Sequence, residues 1–152
     1  MRILHIIPSL NKGGAEKFTI ELCNELVEKN EVYLCAIATR NEEGTYKNLI
    51  NDKVHLITLG FKKSKISLPI FYKLFKIIRK FKPDILHIHT TSWVFNLCYF
   101  FSHQKDIFIT IHSTLNPIRK KYFKKEKFFK FLRKRVTYIT ISIVSNTKPP
   151  AA

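Results

Sequence analysis

Three short stretches of the sequence hold residue types that can do chemistry on a ligand. The first is "SLNKGGAEKF". The chain has only four glycines, and two of them, Gly13 and Gly14, stand together here, between an apolar run and a helix-periodic run. Glycine admits unusual dihedrals and close approach of a ligand to the backbone. A helix starting beside it offers unpaired N–H groups and partial positive charge, which suit a phosphate. A tight strand-to-helix turn with no ligand is the alternative. The pattern is not G-x-G-x-x-G, so a dinucleotide cofactor is poorly supported. Glu16, in the first turn, complements the helix dipole. The second stretch is "HIHT". Alternation along a strand puts His87 and His89 on one face. Two such histidines raise the question of a metal, but the sequence nearby holds no carboxylate or cysteine cluster to complete a site. One packed histidine and one at the strand's end is the favoured reading, and no metal is expected. His89 and Thr90 then lie at the carboxyl end, where they can face a cleft. The third is "ITIHSTLNP", in which His112 ends a strand ahead of Ser113 and Thr114. Three polar features at one sheet edge point to a cleft more strongly than each does alone.

The segment Ile118 to Arg135 reads as a helix with ten Lys/Arg and one acid, Glu126. Ile118, Tyr122, Phe129 and Leu132 form its inward stripe. Phe123 and Phe131 fall instead within the arc of Lys120, Lys124, Lys127 and Lys134. Aromatics among lysines fit a helix lying on an anionic membrane surface, where each basic residue is worth about 1 kcal/mol. Nucleic acid could use the same mixture through phosphate pairing and stacking, and a merely solvated basic face is the third reading.

These residues need a scaffold, and the hydrophobic pattern describes one. "RILHII", "VYLCAIA", "VHLITL", "DILHIHT", "DIFITIH" and "VTYITIS" read as six strands, the first ended by Pro8 and the third by Gly60. A helix from Ala15 carries Ala15, Phe18, Leu22 and Leu26 at helical spacing. "PIFYKLFKIIRKF" opens on Pro69, with Ile70, Leu74, Ile77, Ile78 and Phe81 on one arc and Lys73, Lys76, Arg79 and Lys80 on another. "SWVFNLCYFFSHQ" lies between strands and reads as a buried helix. Apolar strands separated by helices imply a parallel sheet covered on both faces, so the predicted fold is α/β, a Rossmann-like doubly wound parallel sheet of about six strands. At 152 residues, 45% hydrophobic, the chain has the length of one domain. Its net charge of +16 calls for a polyanionic partner: nucleic acid, an anionic membrane or phosphorylated small molecules. Cys23, Cys35 and Cys98 fit no metal spacing and read as reduced core thiols of a cytosolic protein. The N-terminus does not read as a signal peptide, and the longest apolar run is too short to cross a bilayer.

Strand one with "GGAEKFTIELCNEL", then "FKPDILHIHT", "IFITIHSTLNP", and "YITIS" leading into Val144-Ser145, together resemble the N-terminal half of family-4-type glycosyltransferases of the GT-B fold. The resemblance spans residues 1–145, with 146–152 an irregular tail. It implies the acceptor-side domain of an enzyme that moves a sugar from a nucleotide-sugar donor to a glycan or lipid-linked acceptor, in cell-surface polysaccharide or lipopolysaccharide synthesis. No cofactor or metal is implied. Gly13 and Gly14 would lie against the donor diphosphate, His112 would contact the transferred sugar as the catalytic residue, and His89, Thr90 and Asn116 would shape the acceptor cleft. The basic segments would hold the protein peripherally at the inner face of the cytoplasmic membrane, and nucleic acid drops out as a partner. The family's second, donor-binding domain has no counterpart in these 152 residues. The expectation is therefore a truncated chain, weak or inactive alone, or one completed by a separate C-terminal-half polypeptide. A non-catalytic, membrane-associated or partner-binding domain that kept the fold is the competing reading.

Overall fold

The apolar runs become neighbouring strands in the computed structural model of the chain, which describes residues 1–38, 46–61, 68–89, 106–112 and 135–141. In chain order the described elements are β1 (Arg2–Ser9), α1 (Gly14–Leu26), β2 (Glu31–Ala38), β3 (His55–Phe61), α2 (Leu68–Phe81), β4 (Ile85–Ile88), β5 (Asp106–His112) and β6 (Arg135–Ile141), with a 3-10 turn at Lys47–Leu49. The strands form one sheet in the order β3-β2-β1-β4-β5-β6. Every pairing is parallel. The Rossmann-like doubly wound sheet expected from the sequence is therefore present. Strand order reverses between β1 and β4, and in open α/β sheets the ligand crevice lies outside the carboxyl ends of the strands at that reversal.

The strands read as continuous apolar runs because both faces are covered. Leu4, Ile6, Cys35, Ile37, Leu86, Ile88, Ile107 and Ile109 pack with Ile70, Leu74 and Ile78 of α2. Ile7, Val32, Leu34 and Ala36 pack on the other side with Ile20, Cys23 and Val27 from α1 and the turn after it. Burying one such aliphatic side chain is worth about 1.5–3 kcal/mol. Asp84 ties the starts of β1 and β4 together: its carboxylate accepts from Arg2 N, and its N–H donates to Arg2 O at 2.8 Å.

Three local expectations are corrected. Pro8 lies within β1 and does not end it. Ile6 O accepts from His89 N, so residues of even number in β1 turn their backbone polar groups toward β4. Pairing with β4 stops at Ile6↔Ile88, so the N–H that proline lacks has no ladder partner to lose. Gly60 likewise lies within β3. Its φ of 70° accompanies a register shift against Ala36–Ala38, the mark of a bulge on an outer strand. In α1 the buried stripe is Thr19, Ile20 and Cys23. Leu22 and Leu26 are only half-buried, and Phe18 is exposed. The stripe is rotated because Thr19 turns its hydroxyl back onto Ala15 O at 2.8 Å, which satisfies a polar group in a buried position.

The helices expected around 92–104 and 118–135 and the 146–152 tail lie outside the described residues. So do Thr90, Asn116 and all six residues assigned to a membrane surface, Lys120, Phe123, Lys124, Lys127, Phe131 and Lys134. Among the described residues no helix is long and apolar enough to cross a bilayer.

Candidate active site at the strand-order reversal

The loop after β1 ends at Gly13, which caps α1 with its carbonyl on Lys17 N at 3.0 Å. Its backbone is extended, with φ −169° and ψ 159°, a conformation open to any residue. What glycine supplies here is space. A Cβ on Gly13 would run into the carboxylate of Glu16, which folds back over the loop. Ser9 Oγ donates to that carboxylate at 3.5 Å and accepts from Asn11 N at 3.4 Å. Gly14 follows as the exposed first residue of α1. Among the described residues no side chain caps this helix start, so its leading N–H groups face the loop with the positive end of the helix dipole.

Beside the loop, side-chain alternation lays a row of polar residues across the face of the sheet on which α1 packs. His5 shares the Ile7 side of β1, and register sets it beside His87 and then Phe108. One pleat further on stand His89 and Thr110, and a second pleat on stands His112. His5, His89 and Thr110 are fully buried and His87 nearly so. The rings are joined in a line: His5 Nδ1 is 3.0 Å from His89 Nε2, and His89 Nδ1 is 3.4 Å from His112 Nε2. His87 Nε2 hydrogen-bonds Thr110 Oγ1 at 2.7 Å. His112, only partly buried, is the outer end of the line. Phe18 of α1 meets it edge-on, with ring centroids 5.5 Å apart. Phe18, partly exposed and outside the buried stripe of α1, thus has its ring contact with His112.

Sequence reasoning placed His89 and His112 at this edge, and the fold joins them through a hydrogen bond. It did not find His5, Thr110 or Phe18. A lone histidine within the otherwise apolar "ILHII" was the available signal for His5, because a buried strand tolerates an imidazole only with a partner.

Burial keeps these rings uncharged. It lowers His5 to about 3, with His87 adding to the effect, and lowers His87 to about 4, with His112 adding. His89 is pushed far down by burial, then by His87, His5 and His112. His112 is lowered by burial alone. The same burial raises the Cys23 thiol to about 12, so it is inert as a nucleophile.

A helix start without a side-chain cap, near the strand-order reversal, on a helix whose Phe18 meets His112, is an arrangement compatible with a phosphorylated ligand. The model of one protein family, Glycosyltransferase Family 4, matches residues 12–145. The chain belongs to glycosyltransferase family 4. Among curated proteins none matches the sequence. In this family-4 chain the matched span takes in Gly13, Gly14, His87, His89 and His112, whereas His5 precedes it.

The neutral row predicts an acid-sensitive fold. In the unfolded chain each histidine takes up its proton near 6.5, whereas in the fold His5 and His87 resist protonation until about 3 and about 4. A lowered folded pKa means that the unfolded state binds more protons between these values. Stability is therefore fully present above pH 6.5 and declines as pH falls toward 4, by up to about 1.4 kcal/mol per pH unit for each histidine. Urea unfolding midpoints across that window should fall steeply, and His5→Gln should flatten the slope. A slope unchanged by His5→Gln would show that His5 is not held neutral by its surroundings.

Proposed function

We propose that this family-4 chain is the acceptor-side domain of a transferase that moves a sugar from a nucleotide-sugar donor to a glycan or lipid-linked acceptor, as in the synthesis of cell-surface polysaccharide or lipopolysaccharide. The observation that carries the reading is that α1, which starts bare at Gly13-Gly14, brings its Phe18 against His112 at the carboxyl end of β5. In this reading the donor diphosphate lies against Gly13, Gly14 and the α1 N–H groups, and displaces the Glu16 carboxylate, a like charge. His112 contacts the transferred sugar through a ring that burial keeps neutral, so it can accept or donate a hydrogen bond without adding positive charge. His89 holds His112 in orientation, and the acceptor cleft is completed by Thr90 and Asn116. Such a reaction needs a second Rossmann-like domain, the other half of a GT-B pair, to close over the donor and exclude water. That half is supplied by a longer chain or by a separate polypeptide.

An anionic membrane surface is the proposed working location, at the inner face of the cytoplasmic membrane. Support comes from α2, whose outer face presents Leu68 and Tyr72, 85% and 57% exposed, beside the exposed Lys73, Lys76, Arg79 and Lys80. Lys73, Lys76 and Arg79 lie over the rings of Phe61, Tyr72 and Phe75. Apolar tips among cations are the composition of an interfacial helix. Phe123 and Phe131 extend the same pattern in the sequence.

Two experiments test these readings. With the chain joined to or mixed with a family-4 donor-binding domain, His112→Ala should lower transfer by roughly 10²-fold or more. Gly13→Ala should weaken donor binding while shifting stability by less than about 0.5 kcal/mol, because the Glu16 side chain can swing aside. Transfer unaffected by His112→Ala would remove that residue from the reaction, and absence of any donor binding or transfer would favour a non-catalytic domain. In liposome flotation, binding should rise with anionic lipid and fall when Leu68 and Tyr72, or Phe123 and Phe131, are replaced by serine. Equal flotation of these variants would exclude the interfacial surfaces.

A further inference from the structure

We propose that His5, His87 and His89 form a binding site for a divalent transition-metal ion of the zinc class, placed inside the sheet where β1 and β4 meet. The sequence offered only the His87–His89 pair, with no third ligand nearby; parallel pairing of β1 with β4 supplies His5, opposite His87 in register. One ligand nitrogen from each of the three rings lies within 4.8 Å of the others. Ring centroids are 5.0 Å apart for His5–His87, 5.3 Å for His5–His89 and 4.0 Å for His87–His89. Ring rotation closes such a set onto an ion at metal–nitrogen distances of about 2.0–2.1 Å.

Three further observations point to a ligand. His5 Nε2 is buried and has no hydrogen-bond partner among the described residues, which is costly for a polar atom inside a core. Two of the rings already have an outer partner: His87 engages Thr110 Oγ1 through Nε2, and His89 engages His112 through Nδ1. Metal-binding histidines are oriented in this way by an outer partner on one nitrogen; on the other side an ion would replace the 3.0 Å contact between His5 Nδ1 and His89 Nε2. The three rings are also buried side by side, so an ion among them would be held away from bulk water. An all-imidazole set suits zinc, copper or nickel over magnesium or calcium. With three protein ligands one position stays open, and His112 stands next to His89 on the cleft side. The ion would join β1 to β4 beneath the cleft. The proposal stands independently of the transferase reading, since it needs no donor or acceptor.

The test uses the full chain, freed of metal with a chelator and then offered Zn²⁺ or Co²⁺ alone. A single ion should remain through gel filtration, the thermal midpoint should rise, and X-ray absorption should count three imidazole ligands. His5→Leu and His87→Leu should each reduce retained metal about tenfold or more, while His55→Gln on β3 should leave it unchanged. Failure of the wild-type chain to retain an ion overturns the proposal. So does equal retention by folded His5→Leu and His87→Leu chains, or an absorption spectrum with fewer than two imidazoles. If those variants fail to fold, the wild-type spectrum decides.

Discussion

Everything at the candidate site depends on a row of imidazoles that must stay uncharged inside a parallel sheet. A parallel sheet in a doubly wound fold is buried on both faces, so its strands carry almost nothing but aliphatic side chains. Here the rule is broken at one place, where His5, His87, His89 and Thr110 lie side by side at the reversal of strand order. Each ring can be tolerated only because another polar atom meets it, and a proton added to any of them would leave a charge with no counter-ion among those partners. Neutrality is thus a condition of folding, and it also fixes what the outermost ring, His112, can do.

The same row connects the two sides of the cleft. Backbone pairing sets His5 against His87, the hydrogen bond from His89 N to Ile6 O sets His89 at the end of β4, and ring contacts carry the order out to His112 and Phe18. Phe18 belongs to the helix whose first turn forms the glycine loop. Loop and histidine are therefore linked through α1 and the Phe18–His112 ring contact.

Much of this was legible in the sequence. Near-continuous apolar runs alternating with amphipathic segments identify a covered parallel sheet, and "DIFITIH" coincides with β5 residue for residue. Pro8 and Gly60 misled because they were read as local breakers. Proline breaks a strand only where its N–H is needed, and glycine on an outer strand can make a bulge without ending it. The α1 stripe was misplaced for a similar reason, since periodicity counts apolar residues and cannot know that Thr19 satisfies its own hydroxyl. The histidine row was half legible. Spacing joins His87 to His89, but it has no access to the strand that pairs beside them, and His5 is 82 residues away from His87 in sequence. At Gly13 the physical reason for glycine is the room that Glu16 fills and not the unusual dihedral expected from the sequence.

Imidazole nitrogen NMR with a nucleotide sugar titrated into the chain tests the central claim most directly. The account predicts neutral, single-tautomer signals from His5, His87 and His89 at pH values below 6.5 but still above the about 4 of His87, and ligand-induced shifts confined to His112, its neighbour His89 and the Gly13-Gly14 amides. Imidazolium signals from the buried rings, or a ligand response that leaves His112 and the glycine loop untouched, would contradict it.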